Sequence, residues 1–297
     1  MMTEHYRDII AACFPELAIN TCEFVSQGWD SVAVVVDGEL IFRFPKRPDV
    51  EPQYRMEALL LEALAGRVAL PLPRFAYVWD GRPPYRQVFV GYRMLAGEQL
   101  RPGLLAALGR AGIAAQLGGF LSDLHGFPVE QAARCGVQGG DAAQWRLRYR
   151  NQYADVQARV LPLLDADARA RVARRWAGFL EHDANFRFRP ALAHCDLSGD
   201  HILVDPAGGT VSGIIDWGDA AIGDPALDFT GLLDDYGAGF AELALAAYRR
   251  EVDPTFRERM AFYRFVMPFN EILFGLRTGL QPHVDAGLAQ LRAALPR

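Results

Sequence analysis

The sequence predicts an α+β protein of two lobes: a small N-terminal antiparallel sheet with one helix, then a larger, mostly helical C-terminal lobe. Three observations carry this expectation. Short runs rich in β-branched and aromatic residues, separated by turn signals, fill the chain between Cys22 and Tyr92. From Leu104 onward the apolar residues recur mainly at helical spacing. One pair of short β-type runs, residues 202–204 and 211–215, interrupts that helical half and is flanked by acids and histidines.

Each element has its own local reason. Tyr6, Ile9, Ile10 and Cys13 predict a helix over 4–14, stopped by Pro15. Residues 22–26, 32–36 and 39–44 read as strands, with turns at 27–31 and at Asp37-Gly38. Alternation along the third strand puts Ile41, Arg43 and Pro45 on one face, and Phe42 and Phe44 on the other. Residues 54–64 predict a helix, with Glu57 among apolar neighbours and Glu62 solvated. Strands at 75–79 and 87–92 complete the sheet. The chain then leaves it through 93–98, so the lobes are expected to be 1–95 and 96–297. Residues 104–125 are expected as one long helix, and 129–143 as a loop with a short helix at most. Two helices follow at 145–164 and 166–181. Further helices are expected at 240–250, 260–276 and 286–295, with Pro268 kinking or breaking the second.

Composition excludes several classes. The 297 residues suffice for two lobes around one cleft, and 51% hydrophobic content allows a sizeable core. No apolar run approaches the roughly 20 residues a membrane-spanning helix needs. The charged N-terminus lacks an apolar leader-type segment. A cytoplasmic protein, not a membrane protein, is expected. Net charge is −5 with no basic tract, which argues against nucleic acid and suits a cationic small molecule. Cys13, Cys22, Cys135 and Cys195 form no C-x-x-C pair, so neither zinc nor a redox motif is indicated. A monomer is expected.

The chemistry concentrates in Ala193-His-Cys-Asp-Leu-Ser-Gly-Asp-His-Ile-Leu-Val-Asp205 and Val211-Ser-Gly-Ile-Ile-Asp-Trp-Gly-Asp-Ala220. Two short strands joined by the turn Asp205-Pro-Ala-Gly-Gly209 make a hairpin whose ends lie side by side. Asp196, His201 and Asp216 should therefore be neighbours in space. That set suits phosphoryl transfer. One carboxylate orients the attacking hydroxyl and accepts its proton, while two other groups hold magnesium against nucleotide phosphates. The order His194-Cys-Asp196-x-x-x-x-His201, then Asp216-Trp-Gly218, matches H-R-D-x-x-x-x-N, then D-F-G, with histidine for asparagine. Cys195 could be read as a nucleophile, but Asp196 beside it explains the loop better.

The run Gly213-Ile-Ile-Asp-Trp-Gly-Asp-Ala-Ala-Ile-Gly-Asp-Pro-Ala-Leu-Asp-Phe229 resembles the aminoglycoside phosphotransferase family, kinase-like small-molecule kinases that include macrolide and choline kinases. His201 looks like the branch of the aminoglycoside 2″-phosphotransferases, a feature shared with the macrolide 2′-phosphotransferases. The resemblance runs from about Phe24 to about Gly275. It implies a protein-kinase-like fold, Mg²⁺, and ATP or GTP as co-substrate. By resemblance, Asp196 is catalytic, and His201 and Asp216 hold the metal. Backbone around Ser26, Gly28 and Ser31 covers the phosphates. Arg43 stands in the lysine's place and pairs with Glu57, with Lys46 as the alternative. The backbone at Arg93, Met94 and Leu95 reads the purine edge. Asp228 braces the catalytic loop through its backbone or through His194. Asp219, Asp234, Asp235 and Glu271 are candidates for ammonium groups of a cationic acceptor, with Tyr263, Phe269 and Phe274 as possible lining. His125 reads as a cap or core hydrogen-bonder, and His182 and His283 as solvent facing. The leading acceptor is an aminoglycoside. A macrolide, a housekeeping hydroxyl (sugar, homoserine or choline) and a non-catalytic nucleotide binder are the alternatives. No Ala-Pro-Glu segment follows Asp216, which argues against a protein kinase.

Overall fold

The computed structural model describes residues 2–27 and 30–295. Helix α1 (Met2–Cys13) precedes strands β1 (Cys22–Gln27), β2 (Ser31–Val36) and β3 (Leu40–Pro45). Helix α2 (Glu51–Leu64), β4 (Phe75–Asp80) and β5 (Val88–Arg93) follow. The five strands form one antiparallel sheet in the order β1-β2-β3-β5-β4. Alternation sends Val32, Val34, Val36, Phe42 and Phe44 to one face, where Ile10 and Cys13 of α1 cover them. The other face meets α2, with Tyr54 against Val88 and Val90. The sheet thus carries both expected N-terminal helices, one on each face, because both of its faces are apolar.

The helical part opens with β6 (Glu98–Gln99), α3 (Pro102–Leu108) and α4 (Arg110–Leu124). The last two were expected as one helix. Gly109, at φ 89°, parts them, and their axes bend by 106°. Helix α5 (Val129–Arg134) is short. Asp141 and Gln144 form a capping box that starts α6 (Ala142–Asp155) ahead of the expected boundary. A π turn (Val156–Val160) and a 3-10 turn (Leu161–Leu163) finish that stretch before Asp165 caps α7 (Ala166–Glu181). Strands β7 (Ala191–Ala193), β8 (Ile202–Asp205), β9 (Thr210–Ile214) and β10 (Ala221–Gly223) come next. β7 pairs with β10, and β6-β8-β9 form a three-stranded sheet. The chain closes with α8 (Thr230–Tyr236), α9 (Ala238–Ala247), α10 (Phe256–Thr278) and α11 (Gln281–Ala294).

Pro268 lies inside α10 without ending it, so of the expected kink or break the break does not occur. Gly287 of α11 lies directly against the Pro268 carbonyl and Ile272, so close packing offsets the lost helix hydrogen bond. One large core joins α4, α6, α7, the β8–β9 hairpin and α10, and it includes Met56, Leu60, Leu61 and Leu64 of α2. α2 therefore packs on both the sheet and the helical part. Among the described residues no single helix is long and apolar enough to cross a membrane.

Candidate active site

The β8–β9 hairpin builds the site. Ile202 pairs with Ile214, and the Ile215 N–H donates to the His201 carbonyl at 3.0 Å. This register sets residue 201 beside residue 216. His201 Nδ1 lies 2.6 Å from the Asp196 carbonyl oxygen and 3.4 Å from Asp196 Oδ2. Its Nε2 lies 3.5 Å from Asp216 Oδ2. A carbonyl can only accept, so Nδ1 carries a proton, and Nε2 faces Asp216. Cys195 (φ 68°) and Asp216 (φ 64°) both occupy the left-handed region, which non-glycine residues hold only when their surroundings enforce it.

Those surroundings come from the segment after β10. Asp228, fully buried, accepts the His194 N–H at 2.9 Å and the Cys195 N–H at 2.7 Å. The His194 ring donates from Nε2 to the Ile215 carbonyl at 3.0 Å, and its Nδ1 accepts the Asp196 N–H at 3.3 Å. Asp235 accepts the Gly199 N–H at 2.7 Å. Gly231 on α8 lets the loop come close: a Cβ there would sit 2.1 Å from the Leu197 carbonyl oxygen.

The sheet supplies a cation. Arg43 donates to Glu57 at 2.8 Å and to Asp216 at 3.3 Å, and lies 5.2 Å from the Tyr54 ring centroid. Burial opposes its charge, but Glu57 and Asp216 outweigh that and hold it firmly protonated. Burial also pushes Asp216 up, yet Arg43 and His201 together leave it below the usual carboxylate range. Asp196 goes the other way, because burial outweighs His201 and raises it. Burial, then Asp196 and Asp216, raise Asp219, which has no hydrogen-bond or ion-pair partner among the described residues. Glu57 Oε1 is buried without a partner and faces Gly218.

Other expected site residues sit differently. Asp234 is ion-paired with Arg264 at 2.7 Å, and Glu271 with His283 at 2.6 Å. Asp235 is taken up by the loop. The acids were visible in the sequence; their partners, brought in from distant segments, were not. His283 packs on Glu271 and the Phe274 ring with 31% of its side chain exposed. Tyr263 is no lining residue: it is buried and donates to Asp224 at 2.5 Å. Phe269 is fully buried in the core. Arg93 is ion-paired with Glu39 at 2.7 Å, and the Met94 N–H donates to the Glu39 carbonyl at 2.8 Å, so that N–H is not free for a base. Leu95 packs over Gly213. Ser31 opens β2, and the Ser26 backbone pairs opposite Ala33. Gly28 and the Ser26 side chain lie outside the described residues.

A network missed in the sequence reading lies behind the site. Arg259, fully buried, donates to Asp224 at 2.6 and 3.2 Å and to Asp253 at 2.7 and 2.8 Å. The Asp-Pro at 224–225 marks a turn, but nothing local names Arg259 as its partner.

The donor chemistry fits a hard divalent ion of the magnesium type. Mg²⁺ takes one or two protein groups and completes its shell with phosphate oxygens and water. Asp216 offers a half-exposed carboxylate, and His201 offers Nε2 beside it, a ligand when that nitrogen is unprotonated. No cluster of three candidate protein ligands occurs among the described residues.

Comparison with known proteins agrees with this geometry. The model of the phosphotransferase enzyme family, APH, matches residues 21–263. Viomycin phosphotransferase of Streptomyces vinaceus is 25% identical over 305 residues, covering 97% of this chain and 99% of that protein. The solved GDP and kanamycin complex of an APH(2″) enzyme superposes with a TM-score of 0.91 at 32% identity, over 98% of both chains. The macrolide 2′-phosphotransferase of Brachybacterium faecium superposes with a TM-score of 0.77 at 25% identity, over 99% of this chain and 100% of that one. The kinase-like fold, the match over most of the chain and the hairpin-borne acids make this protein a member of the phosphotransferase enzyme family.

Proposed function

We propose that the chain moves the γ-phosphoryl group of a nucleoside triphosphate to a hydroxyl of a cationic, antibiotic-like small molecule, with an aminoglycoside as the leading acceptor. The observation that carries this reading is the meeting of Asp196, His201 and Asp216 at one end of the hairpin, with Arg43 at 3.3 Å from Asp216. The half-exposed Asp196 carboxylate orients the acceptor hydroxyl and takes its proton. Burial makes it a stronger base than an ordinary aspartate. His201 Nε2 and Asp216 would hold Mg²⁺, which when bound neutralises charge on the phosphates. Arg43, steadied by Glu57 and Tyr54, meets the phosphate oxygens with a forked donor where kinases use lysine. Backbone at Ser26 and Ser31 covers the phosphates, and backbone groups at 93–95 other than the Met94 N–H face the base. Asp219, unpaired among the described residues, takes a cationic group of the acceptor. We place the lobe boundary at residues 95/96 and read the protein as a cytoplasmic monomer. GDP complexes of relatives at 32% identity support GTP as the donor.

A macrolide-type acceptor is the second reading. Asp234, Asp235 and Glu271 are committed to other groups, which leaves fewer acids for a polycation. The test is magnesium-dependent turnover of GTP and ATP against aminoglycosides, viomycin, macrolides and small alcohols. Stimulation by an aminoglycoside, lost in Asp196→Ala, supports the leading reading. Stimulation by macrolides alone moves the assignment to the second, and saturable nucleotide binding with no turnover sinks both.

A further inference from the structure

His125 ends α4 and Tyr248 follows α9, 123 residues apart in sequence. They meet in the interior: His125 Nδ1 lies 2.8 Å from the Tyr248 hydroxyl, and Nε2 lies 3.0 Å from Asp228 Oδ2. The His125 and Asp228 side chains are 1% and 0% exposed. A buried carboxylate already accepting two backbone N–H groups can only accept again, so Nε2 carries the proton. In the neutral ring Nδ1 is then a lone pair, and the Tyr248 hydroxyl donates to it. The order of donors runs from Tyr248 to His125, from His125 to Asp228, and from the His194 and Cys195 N–H groups to the same carboxylate. The next residue is Asp196.

We propose that His125 and Tyr248 are positioning residues for phosphoryl transfer, locking the Asp228 carboxylate in the one rotation that holds both loop N–H groups. This rests on the assignment of Asp196 given above. If the ring took the other tautomer, its lone pair would face the carboxylate. Asp228 would then turn away, and Cys195 would be free to leave its left-handed conformation. Both rings border a cavity of about 410 Å³ and both meet the Phe229 ring, so packing sets where they lie while the Tyr248 hydroxyl sets which ring nitrogen carries the proton. The hydroxyl is therefore the lock.

The test uses the full chain in three variants. Tyr248→Phe should lower kcat about 3- to 10-fold with the nucleotide KM unchanged, and His125→Leu about 10- to 100-fold, the range typical when a partner that orients a site group is lost. His125→Gln, whose amide can both donate to Asp228 and accept from Tyr248, should recover part of the loss. Nitrogen-15 spectra should show His125 as the Nε2–H tautomer, and Tyr248→Phe should weaken hydrogen-exchange protection of the His194 and Cys195 amides. Wild-type kcat in Tyr248→Phe, an Nδ1–H tautomer or unchanged protection each overturns the relay. The spectra and the exchange need no acceptor, so they decide the relay even where no acceptor is turned over and the proposed function fails. Where His125→Leu does not fold, Tyr248→Phe carries the test.

Discussion

Asp216 and Asp224 lie eight residues apart, and each meets an arginine, yet the two pairs have opposite characters. Asp224 is fully buried and accepts from Arg259 twice, from Tyr263 and from the Ala226 N–H. The remaining donors of Arg259 go to Asp253 and Thr255. Nothing is left over for a ligand. Asp216 is 49% exposed and has one longer contact to Arg43 and a distant histidine nitrogen. Its capacity to accept is mostly unused. A saturated charge pair holds a fold, whereas an unsaturated one at a cleft is available for chemistry.

That contrast can be broken at several points. The largest effect is expected for Asp196→Asn, which should cut turnover about 10²- to 10⁴-fold, the usual worth of a general base, while the thermal midpoint stays put. A large midpoint drop would instead make Asp196 part of the saturated class. Arg259→Met should act in reverse, destabilising by about 3–5 kcal/mol in denaturant titration because it strands two carboxylates, Asp224 fully buried. An unchanged unfolding midpoint would show that the network is dispensable.

Arg43→Lys keeps the charge but loses the fork that reaches Glu57 and Asp216 together. We expect kcat/KM to fall about tenfold, worth about 1.4 kcal/mol of transition-state binding. Wild-type kinetics would show that a point charge is enough. Asp234→Asn should be nearly silent, within about 1 kcal/mol in stability and without effect on the KM of a cationic acceptor, because an exposed ion pair contributes little. A tenfold rise in that KM would return Asp234 to the acceptor site.

The pH dependence sharpens the same comparison. Burial raises Asp196, so the acid limb of kcat/KM should lie above the ordinary aspartate value of about 3.9. Asp216 and Asp228 are lowered when folded, so the stability they contribute is present above about pH 3.9 and is lost as pH falls through their folded values. Activity should therefore fail in acid before the fold does. Simultaneous loss of both would show that Asp196 is not raised above the acids whose charge stabilises the fold.

Much of this architecture was legible in the chain. A β-branched run in β2, period-two alternation in β3 and the apolar pattern of α2 located those elements. The run from Gly213 to Phe229 pointed to the family that the comparisons then showed. Boundaries were less legible where one residue decided them, as Gly109 does for α3 and α4, or where packing outweighed a local preference, as at Pro268.

The sequence by itself determined which residues share a strand face, where the hairpin turns, and hence that Asp196, His201 and Asp216 converge. These follow from short-range geometry, since strand period and turn length act over a few residues. Only the tertiary structure decided which charges are spent. Asp234 on Arg264, Glu271 on His283, Asp235 on Gly199 and Asp224 on Arg259 are pairings across 12 to 36 residues. Coulombic and hydrogen-bond partners are chosen by distance in space. That distance is set by how helices pack and carries no local mark in the chain.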